Sequence, residues 1–134
     1  KAFVELDKDL ELDLVIVGKK GWYFKGIEQY MESTVNLILE NKIIFTGYVP
    51  EHELKYFYRS ALMFVYPTLY EGFGLPPLQA MACGTPVITS NVSSLPEVVG
   101  DAAIKINPND LDELKNSIKW LYTDEGKRGE LTTG

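Results

Sequence analysis

Apolar residues along the chain alternate between two patterns. Short continuous apolar runs, rich in β-branched residues and bounded by glycine, proline or polar turns, predict buried strands. These runs cover residues 12–17, 42–46, 62–66, 86–89 and 102–106. Between them apolar residues recur at helical spacing and predict helices over residues 26–40, 50–61, 75–83, 94–100, 109–122 and 124–131. Strands that alternate with helices form parallel sheets covered on both faces, so the pattern predicts an α/β fold.

Composition and charge argue against several classes of function. The 134 residues make one domain, and 46% of them are apolar, which is enough for a packed core. The net charge is −6 and no cluster of lysine and arginine occurs, which argues against a nucleic-acid partner. The single cysteine, Cys83, forms no internal disulfide, and with the single histidine, His52, it offers no metal-ligand spacing. We therefore expect a globular protein of a reducing, cytoplasmic setting without a metal or other cofactor, in which Cys83 is buried and His52 is solvated.

The stretch from residue 66 to residue 88 carries the clearest chemical signal. It consists of a strand end, a loop with Glu71, Gly72 and Gly74, a helix that begins with prolines, and a second strand. Glycines let the backbone approach a ligand closely, and a helix that begins just after them presents free N–H groups and its positive dipole end. Because a phosphate would repel a carboxylate, we expect Glu71 to face hydroxyl groups. Phosphate and hydroxyls together indicate a sugar nucleotide.

Other interpretations of these motifs fit less well. Gly72-Phe73-Gly74 lacks the third glycine of a dinucleotide-binding loop, and no P-loop signature occurs. Ligands of parallel sheets bind beyond the carboxyl ends of the strands. The loops of interest therefore begin at residues 18, 47, 67 and 90. Trp22 and Tyr23 lie in the first of these loops and either line an acceptor cleft or pack at the surface. Trp120, on the last long helix, is expected in the core.

Residues 71–88 closely resemble the donor-site motif of the retaining group 1 glycosyltransferases, family four, which have the GT-B fold. Residues 15–18, 45–49 and 94–103 resemble further family positions in the same order. The resemblance implies that residues 1–134 are a single partial domain, the nucleotide-sugar-binding C-terminal half of a two-domain enzyme, with a Rossmann-like parallel sheet and helices on both faces. We expect truncation at both ends, so that the N-terminal acceptor domain and the first strand of this domain are absent.

The resemblance also implies roles for particular residues. Glu71 matches the first acid of the motif, the catalytic-site residue that contacts hydroxyls of the donor sugar and positions it. The remaining donor-binding positions, several of which act through backbone amides, match Gly72, Phe73, Gly74, Leu75, Gly18, Tyr48 and Val49. The second acid of the motif, which binds the ribose diol, is replaced here by Gln79. An amide offers one acceptor oxygen and two donor hydrogens, so we expect it to hold the diol more weakly without abolishing the chemistry.

The implied reaction is the transfer of a sugar from a nucleoside-diphosphate-sugar to an acceptor hydroxyl with retention and without a metal. The acceptor, a carbohydrate or a lipid-linked molecule, would bind through the absent domain, and contact of the full-length protein with a membrane surface stays open. The chain alone is expected to be inactive and to self-associate through exposed sheet edges. Two alternatives stay open: a GT-B enzyme of the glycogen-synthase or sucrose-synthase type, and a non-catalytic nucleotide-sugar-binding module.

Overall fold

The computed structural model describes residues 2–6, 10–18, 36–37, 40–68, 75–92 and 95–133. The chain divides into two compact units, Lys1–Glu51 and His52–Gly134, and each is described by itself. Within the described ranges, no helix is long and apolar enough to cross a membrane.

The first unit contains a short helix and a two-stranded parallel sheet. Helix α1 spans Ala2–Leu6, strand β1 spans Leu14–Ile16, and strand β2 spans Ile43–Phe45. The strands pair with Val15 beside Ile44. These two register partners are 43% and 39% exposed, so the prediction of a buried strand at residues 12–17 is wrong for this face of the sheet. An apolar run indicates that a strand forms, but its burial requires a further element packed on each face.

The second unit alternates helices with strands, as predicted. Its elements are α2 (Glu51–Ser60, whose first residue belongs to the first unit), β3 (Phe64–Tyr66), α3 (Leu75–Ala82), β4 (Val87–Ser90), α4 (Leu95–Val99), β5 (Ile104–Ile106), α5 (Leu111–Thr123) and α6 (Glu125–Thr133). The sheet has the order β3-β4-β5, and both pairings are parallel. The parallel α/β prediction is therefore confirmed, although the described strands form two hydrogen-bonded sheets and not one.

Strand β4 is the centre of the second unit, and all four of its residues are buried. Because side chains alternate along a strand, Val87 and Ile88 point to opposite faces. Val87 joins the mixed cluster, which we define as Tyr58, Ala80, Val87, Val99 and Ala103. Ile88 joins the aliphatic cluster, which we define as Ile88, Ile106, Leu121 and Leu131. Helices α2, α3 and α4 thus cover one face of the sheet, and α5 and α6 cover the other.

Helix α5 shows where helical spacing predicts burial correctly and where it does not. Leu114, Ile118 and Leu121 contact or belong to the aliphatic cluster, as their spacing predicts. Trp120 is 45% exposed, so its predicted core position is wrong. It lies one position before Leu121, about 100° away around the helix, and is therefore turned off the buried face. The indole instead donates to Asp124 Oδ2 at 3.2 Å.

Candidate functional site

The predicted site residues fall into three groups in the structure. Gly18, Tyr48 and Val49 belong to the first unit, and Leu75 and Gln79 belong to the second. The residues of the glycine loop lie outside the described residues: Glu71, Gly72, Phe73 and Gly74. Trp22 and Tyr23 lie outside them as well. The described site residues therefore follow two strands in the first unit and lie on one helix in the second.

The first unit brings Gly18 next to the segment that contains Tyr48. Gly18 N–H donates to the Gly47 carbonyl at 3.1 Å, just beyond the carboxyl ends of β1 and β2. Gly47 has φ of +72°, a conformation that L side chains rarely adopt, and it turns the chain at this point. The side chain of Tyr48, which follows, is 70% exposed, and Val49 is half-buried. Carboxyl ends of parallel strands are where ligands of such sheets bind, which agrees with the predicted position.

Helix α3 begins directly after the glycine loop, at Leu75. The first four N–H groups of a helix have no partner inside the helix and are available to a ligand. Pro76 and Pro77 carry no N–H, so Leu75 supplies the free backbone donor of the described helix start. Its side chain is 54% exposed, whereas Pro77 is fully buried and anchors the first turn. The opening of α3 is thus anchored by Pro77 and presents the Leu75 N–H at the residue that follows Gly74 in the sequence.

The other end of α3 is closed by a glycine turn. Gly84 has φ of +76°. Its N–H donates to the Met81 carbonyl at 3.0 Å, and the Thr85 N–H donates to the Ala80 carbonyl at 3.0 Å. This pair of bonds is the Schellman motif, which satisfies the last carbonyls of a helix. The predicted proline start and glycine stop of this helix are therefore confirmed, and they fix its length and its position against β3 and β4.

Gln79 lies one turn into α3 and is half-buried. The Tyr58 hydroxyl, on α2, donates to Gln79 Oε1 at 3.4 Å, a weak bond at that length. Burial raises the pKa of the Tyr58 phenol, and the nearby Cys83 thiol raises that pKa further, so the phenol is protonated and able to donate. The bond uses the amide oxygen of Gln79 as its acceptor, and the same side chain carries two amide hydrogens that act as donors.

Two buried hydroxyls join the carboxyl ends of β3 and β4. Thr89 Oγ1 donates to the Tyr66 carbonyl at 3.1 Å, and Ser90 Oγ donates to the Thr68 carbonyl at 2.5 Å. Thr89 and Ser90 are both fully buried. Thr68 is the last described residue before the glycine loop. The strand ends that lead into the loop are therefore fixed by side-chain bonds in addition to the sheet.

Comparison with known proteins identifies the family. Residues 1–133 match the family described as glycosyl transferases group 1. The chain belongs to the group 1 glycosyltransferases. It is 43% identical over 128 residues to O-antigen chain mannosyltransferase B of Escherichia coli, an alignment that covers 96% of this chain and 32% of that relative. This group 1 glycosyltransferase chain thus spans about a third of the length of that curated relative.

Solved structures agree with the family. A sucrose-phosphate synthase of Thermosynechococcus elongatus superposes with a TM-score of 0.80 at 27% identity, covering 98% of this chain and 34% of that one. The Anabaena protein HepE, solved with UDP and glucose, superposes with a TM-score of 0.81 at 20% identity, covering 98% of this chain and 36% of that one. The predicted C-terminal domain of a GT-B fold is therefore confirmed.

Among the described residues, the remaining titratable groups add no second site. His52 is exposed, as expected, and Cys83 is half-buried against the mixed cluster, less buried than expected. In the described part of the chain no group of acids, histidine and cysteine is placed to hold a metal ion. A surface groove of about 400 Å³ runs along α5 and includes Asp110, Asp112 and Glu113. Three carboxylates would repel a diphosphate, and no predicted site residue lines this groove.

Sequence reasoning missed the residues that support the site. Tyr58 appears in the sequence only as an apolar position of a helix, 21 residues before Gln79. Ser90 appears only as the start of a loop, 22 residues after Thr68. No periodicity links residues so far apart in the chain. The one sequence signal available is that parallel strands end at the same edge of a sheet, which predicts that residues 67 and 90 are neighbours but not that Ser90 bonds there.

Proposed function

We propose that this chain forms the donor-binding half of a retaining glycosyltransferase and that the donor is a nucleoside-diphosphate-mannose. The observation that carries the proposal is the position of α3: it begins at Leu75, directly after Glu71-Gly72-Phe73-Gly74, between two parallel strands of a group 1 glycosyltransferase domain. Mannose is proposed because a relative that is 43% identical is a mannosyltransferase. Nucleotide binding is further supported by the fold shared with HepE, which was solved with UDP and glucose.

The proposed chemistry assigns one task to each part of the site. Glu71 accepts hydrogen bonds from hydroxyls of the donor sugar and positions it for attack. Leu75 N–H and the positive end of the α3 dipole stabilise negative charge as the nucleoside diphosphate leaves. The acceptor oxygen bonds to the anomeric carbon from the face that the diphosphate leaves, which retains the configuration. The bond from that carbon to the diphosphate breaks, and the hydroxyl proton passes to the departing diphosphate. We propose no metal for this step.

Gln79 is proposed to hold the ribose of the nucleotide. With its amide oxygen turned toward Tyr58, it offers its amide hydrogens to the ribose hydroxyls. Neutral hydrogen bonds are typically worth about 0.5–1.5 kcal/mol, against about 1.5–3 kcal/mol for bonds to a charged group. We therefore expect the affinity for the nucleotide to be roughly tenfold lower than it would be with a carboxylate at this position.

The acceptor, a carbohydrate or a lipid-linked molecule, would bind outside the residues considered above. We also propose that the chain self-associates through its strand edges. We propose a cytoplasmic setting, which agrees with the free thiol of Cys83.

A second enzyme candidate is a synthase that makes sucrose phosphate or a related sugar. It is favoured by the likeness to the sucrose-phosphate synthase structure at 27% identity, and it differs in the acceptor while sharing the donor site.

The test is the thermal shift of this chain with UDP, GDP and ADP, each alone and as its mannose and glucose conjugates. A ligand that binds only the folded chain stabilises it by about 2.7 kcal/mol at a hundredfold excess over Kd. We expect one nucleotide to raise Tm and its mannose conjugate to raise Tm further. Glu71→Ala should abolish the additional shift from the sugar and keep the shift from the bare nucleotide.

The control variant is Asp112→Ala, which removes an exposed carboxylate on α5 and should keep both shifts. A larger shift with a glucose conjugate than with mannose would support the sucrose-synthase type. The absence of any shift, or an equal loss of nucleotide and conjugate binding in Glu71→Ala, would contradict the proposal.

A further inference from the structure

The carboxyl ends of β3 and β4 hold two hydroxyls that differ in what they fix. Thr89 donates to the carbonyl of Tyr66, its own register partner in the β3–β4 ladder. Ser90 donates to the carbonyl of Thr68, which lies two residues beyond the end of β3. The Thr89 bond therefore acts on backbone that strand pairing already positions, whereas the Ser90 bond acts on backbone beyond the regular ladder.

The chain between β3 and Thr68 cannot extend the ladder in the ordinary way. Residue 67 is a proline, which carries no N–H and cannot donate to a neighbouring strand. A side-chain donor from β4 is a way to tie the chain to the sheet beyond that proline. Ser90 supplies it from a rigid position, since it is fully buried and pairs with Ile106 of β5. Asn91, the first residue after β4, continues this anchorage by donating its N–H to the Ile106 carbonyl at 2.8 Å.

We propose that Ser90 is a positioning residue for the donor site: its hydroxyl fixes the point at which the chain leaves β3, three residues before Glu71. The proposal rests on the function proposed above for Glu71. Catalytic and binding groups must be held close to their productive geometry by the residues that support them. Ser90 acts through the backbone at Thr68, and it is not expected to touch the donor itself.

The test compares Ser90→Ala with Thr89→Val, two nearly isosteric changes that each remove one buried hydroxyl from adjacent residues of β4. We expect both variants to lower Tm. Ser90→Ala should weaken the binding of the preferred nucleotide sugar by on the order of tenfold, with a smaller effect on the bare nucleoside diphosphate, because Glu71 is misplaced. Thr89→Val should change neither affinity by more than about twofold, because the ladder holds Tyr66 in place.

A second pair of variants removes the effect of volume. Ser90→Thr and Ser90→Val add nearly the same bulk to this buried position and differ in the hydroxyl. We expect Ser90→Thr to bind the nucleotide sugar more tightly than Ser90→Val by about the same factor that separates wild type from Ser90→Ala. Equal affinities of Ser90→Thr and Ser90→Val for the nucleotide sugar would overturn the proposal. So would affinity losses in Ser90→Ala and Thr89→Val that are both in proportion to the loss of Tm.

A measurement without ligand separates this proposal from the proposed function. Amide hydrogen exchange of residues 68–75 should be faster in Ser90→Ala than in wild type, and unchanged in Thr89→Val. If the wild-type chain binds no nucleotide sugar, the proposed function fails, and faster exchange in Ser90→Ala alone still supports the anchoring by Ser90. If exchange is the same in both variants, Ser90 does not position this segment, whatever the chain binds.

Discussion

The two faces of the β3-β4-β5 sheet are packed in different ways. The mixed cluster, beneath α2, α3 and α4, combines alanines and valines with the aromatic ring of Tyr58. The aliphatic cluster, beneath α5 and α6, consists of leucines and isoleucines. Neighbouring residues of one strand, Val87 and Ile88, serve the two clusters separately. The same sheet therefore has one face covered by small and aromatic side chains and one face covered by large aliphatic side chains, with the buried Ser90 hydroxyl at the end of β4 on the aliphatic side.

The two faces also differ in whether the helices packed on them carry predicted site residues. Helix α3 packs on β3 and β4 from the mixed side and carries Leu75 and Gln79. Helix α5 packs on β4 and β5 from the aliphatic side and carries none of the predicted site residues. Close packing of α3 against the strands, through small residues such as Ala80, brings the helix start to the strand ends. We infer that apolar changes within the aliphatic cluster alter stability alone, whereas polar changes at Gln79 and its partner Tyr58 on the mixed face alter donor binding.

The largest expected effect is on the aliphatic face. Leu121 is fully buried between the sheet and α6, and Leu121→Ala removes contacts and leaves a cavity. We expect a loss of about 2–5 kcal/mol in the free energy of unfolding, measured by urea denaturation. Nucleotide affinity, measured at a temperature where the variant is folded, should stay within about twofold of wild type, because none of the predicted site residues lies on α5.

The control is Leu121→Met, which nearly conserves volume and should cost less than about 1.5 kcal/mol. A loss of nucleotide affinity in Leu121→Ala that persists when the variant is fully folded would show that the two faces are coupled through β4. The inference that the aliphatic face affects stability alone would then be wrong.

A smaller effect is expected on the mixed face from Tyr58→Phe. The variant keeps the aromatic ring, which packs edge-on against Phe64 with ring centroids 5.1 Å apart, and removes the hydroxyl that bonds Gln79. Loss of one neutral hydrogen bond should cost about 1 kcal/mol or less in stability. Without that bond the Gln79 amide turns more freely, so we expect nucleotide affinity to fall by about threefold.

The matched control for Tyr58→Phe is the same change in a Gln79→Ala background. If Tyr58 acts through Gln79, the second change should add nothing there, which a double-mutant cycle measures as a coupling of about threefold. A dideoxyribose analogue of the nucleotide should likewise be insensitive to Tyr58→Phe. Equal losses in both backgrounds would show that the hydroxyl acts on stability and not through Gln79.

The contrast between the faces also marks what the sequence predicts and what it does not. Apolar runs and helical spacing predict β4, α3 and α5, because these elements are set by local patterns of burial and by prolines and glycines such as Gly84. The glycine loop predicts the site through local chemistry and a family resemblance. The bond from Tyr58 to Gln79 and the bond from Ser90 to Thr68 depend on how distant elements pack, and no local pattern encodes that packing.

Exposure is the other property that local patterns fail to predict. Val15 belongs to a run as apolar as β4, yet it is exposed while β4 is buried on both faces. Trp120 lies within a helix whose other large apolar residues pack inward. In both cases the residue types predict a helix or strand correctly. Which of its side chains are buried depends on the elements that pack against it in the folded protein.

The smallest expected effect is the pH dependence of stability that Asp124 causes, between α5 and α6. The Asp124 carboxylate accepts a hydrogen bond from the Lys127 N–H at 2.9 Å and one from the Trp120 indole, and these bonds lower the pKa of Asp124 below its ordinary value of 3.8. Because the folded-state pKa lies below the unfolded one, the stabilisation is present in full above the ordinary value and disappears as pH falls through the lowered pKa.

Asp124→Asn keeps a side chain that can cap α6 and removes the titration. We expect wild type to exceed this variant in Tm at about pH 6 and the difference to shrink as pH falls below the ordinary value of 3.8. The shift should be small, since Asp124 is exposed and water competes for its bonds. Nucleotide affinity at about pH 6 should be equal in the two proteins, because Asp124 lies at the junction of α5 and α6. A difference in Tm that is constant from about pH 6 to about pH 2.5 would mean that the carboxylate charge contributes nothing.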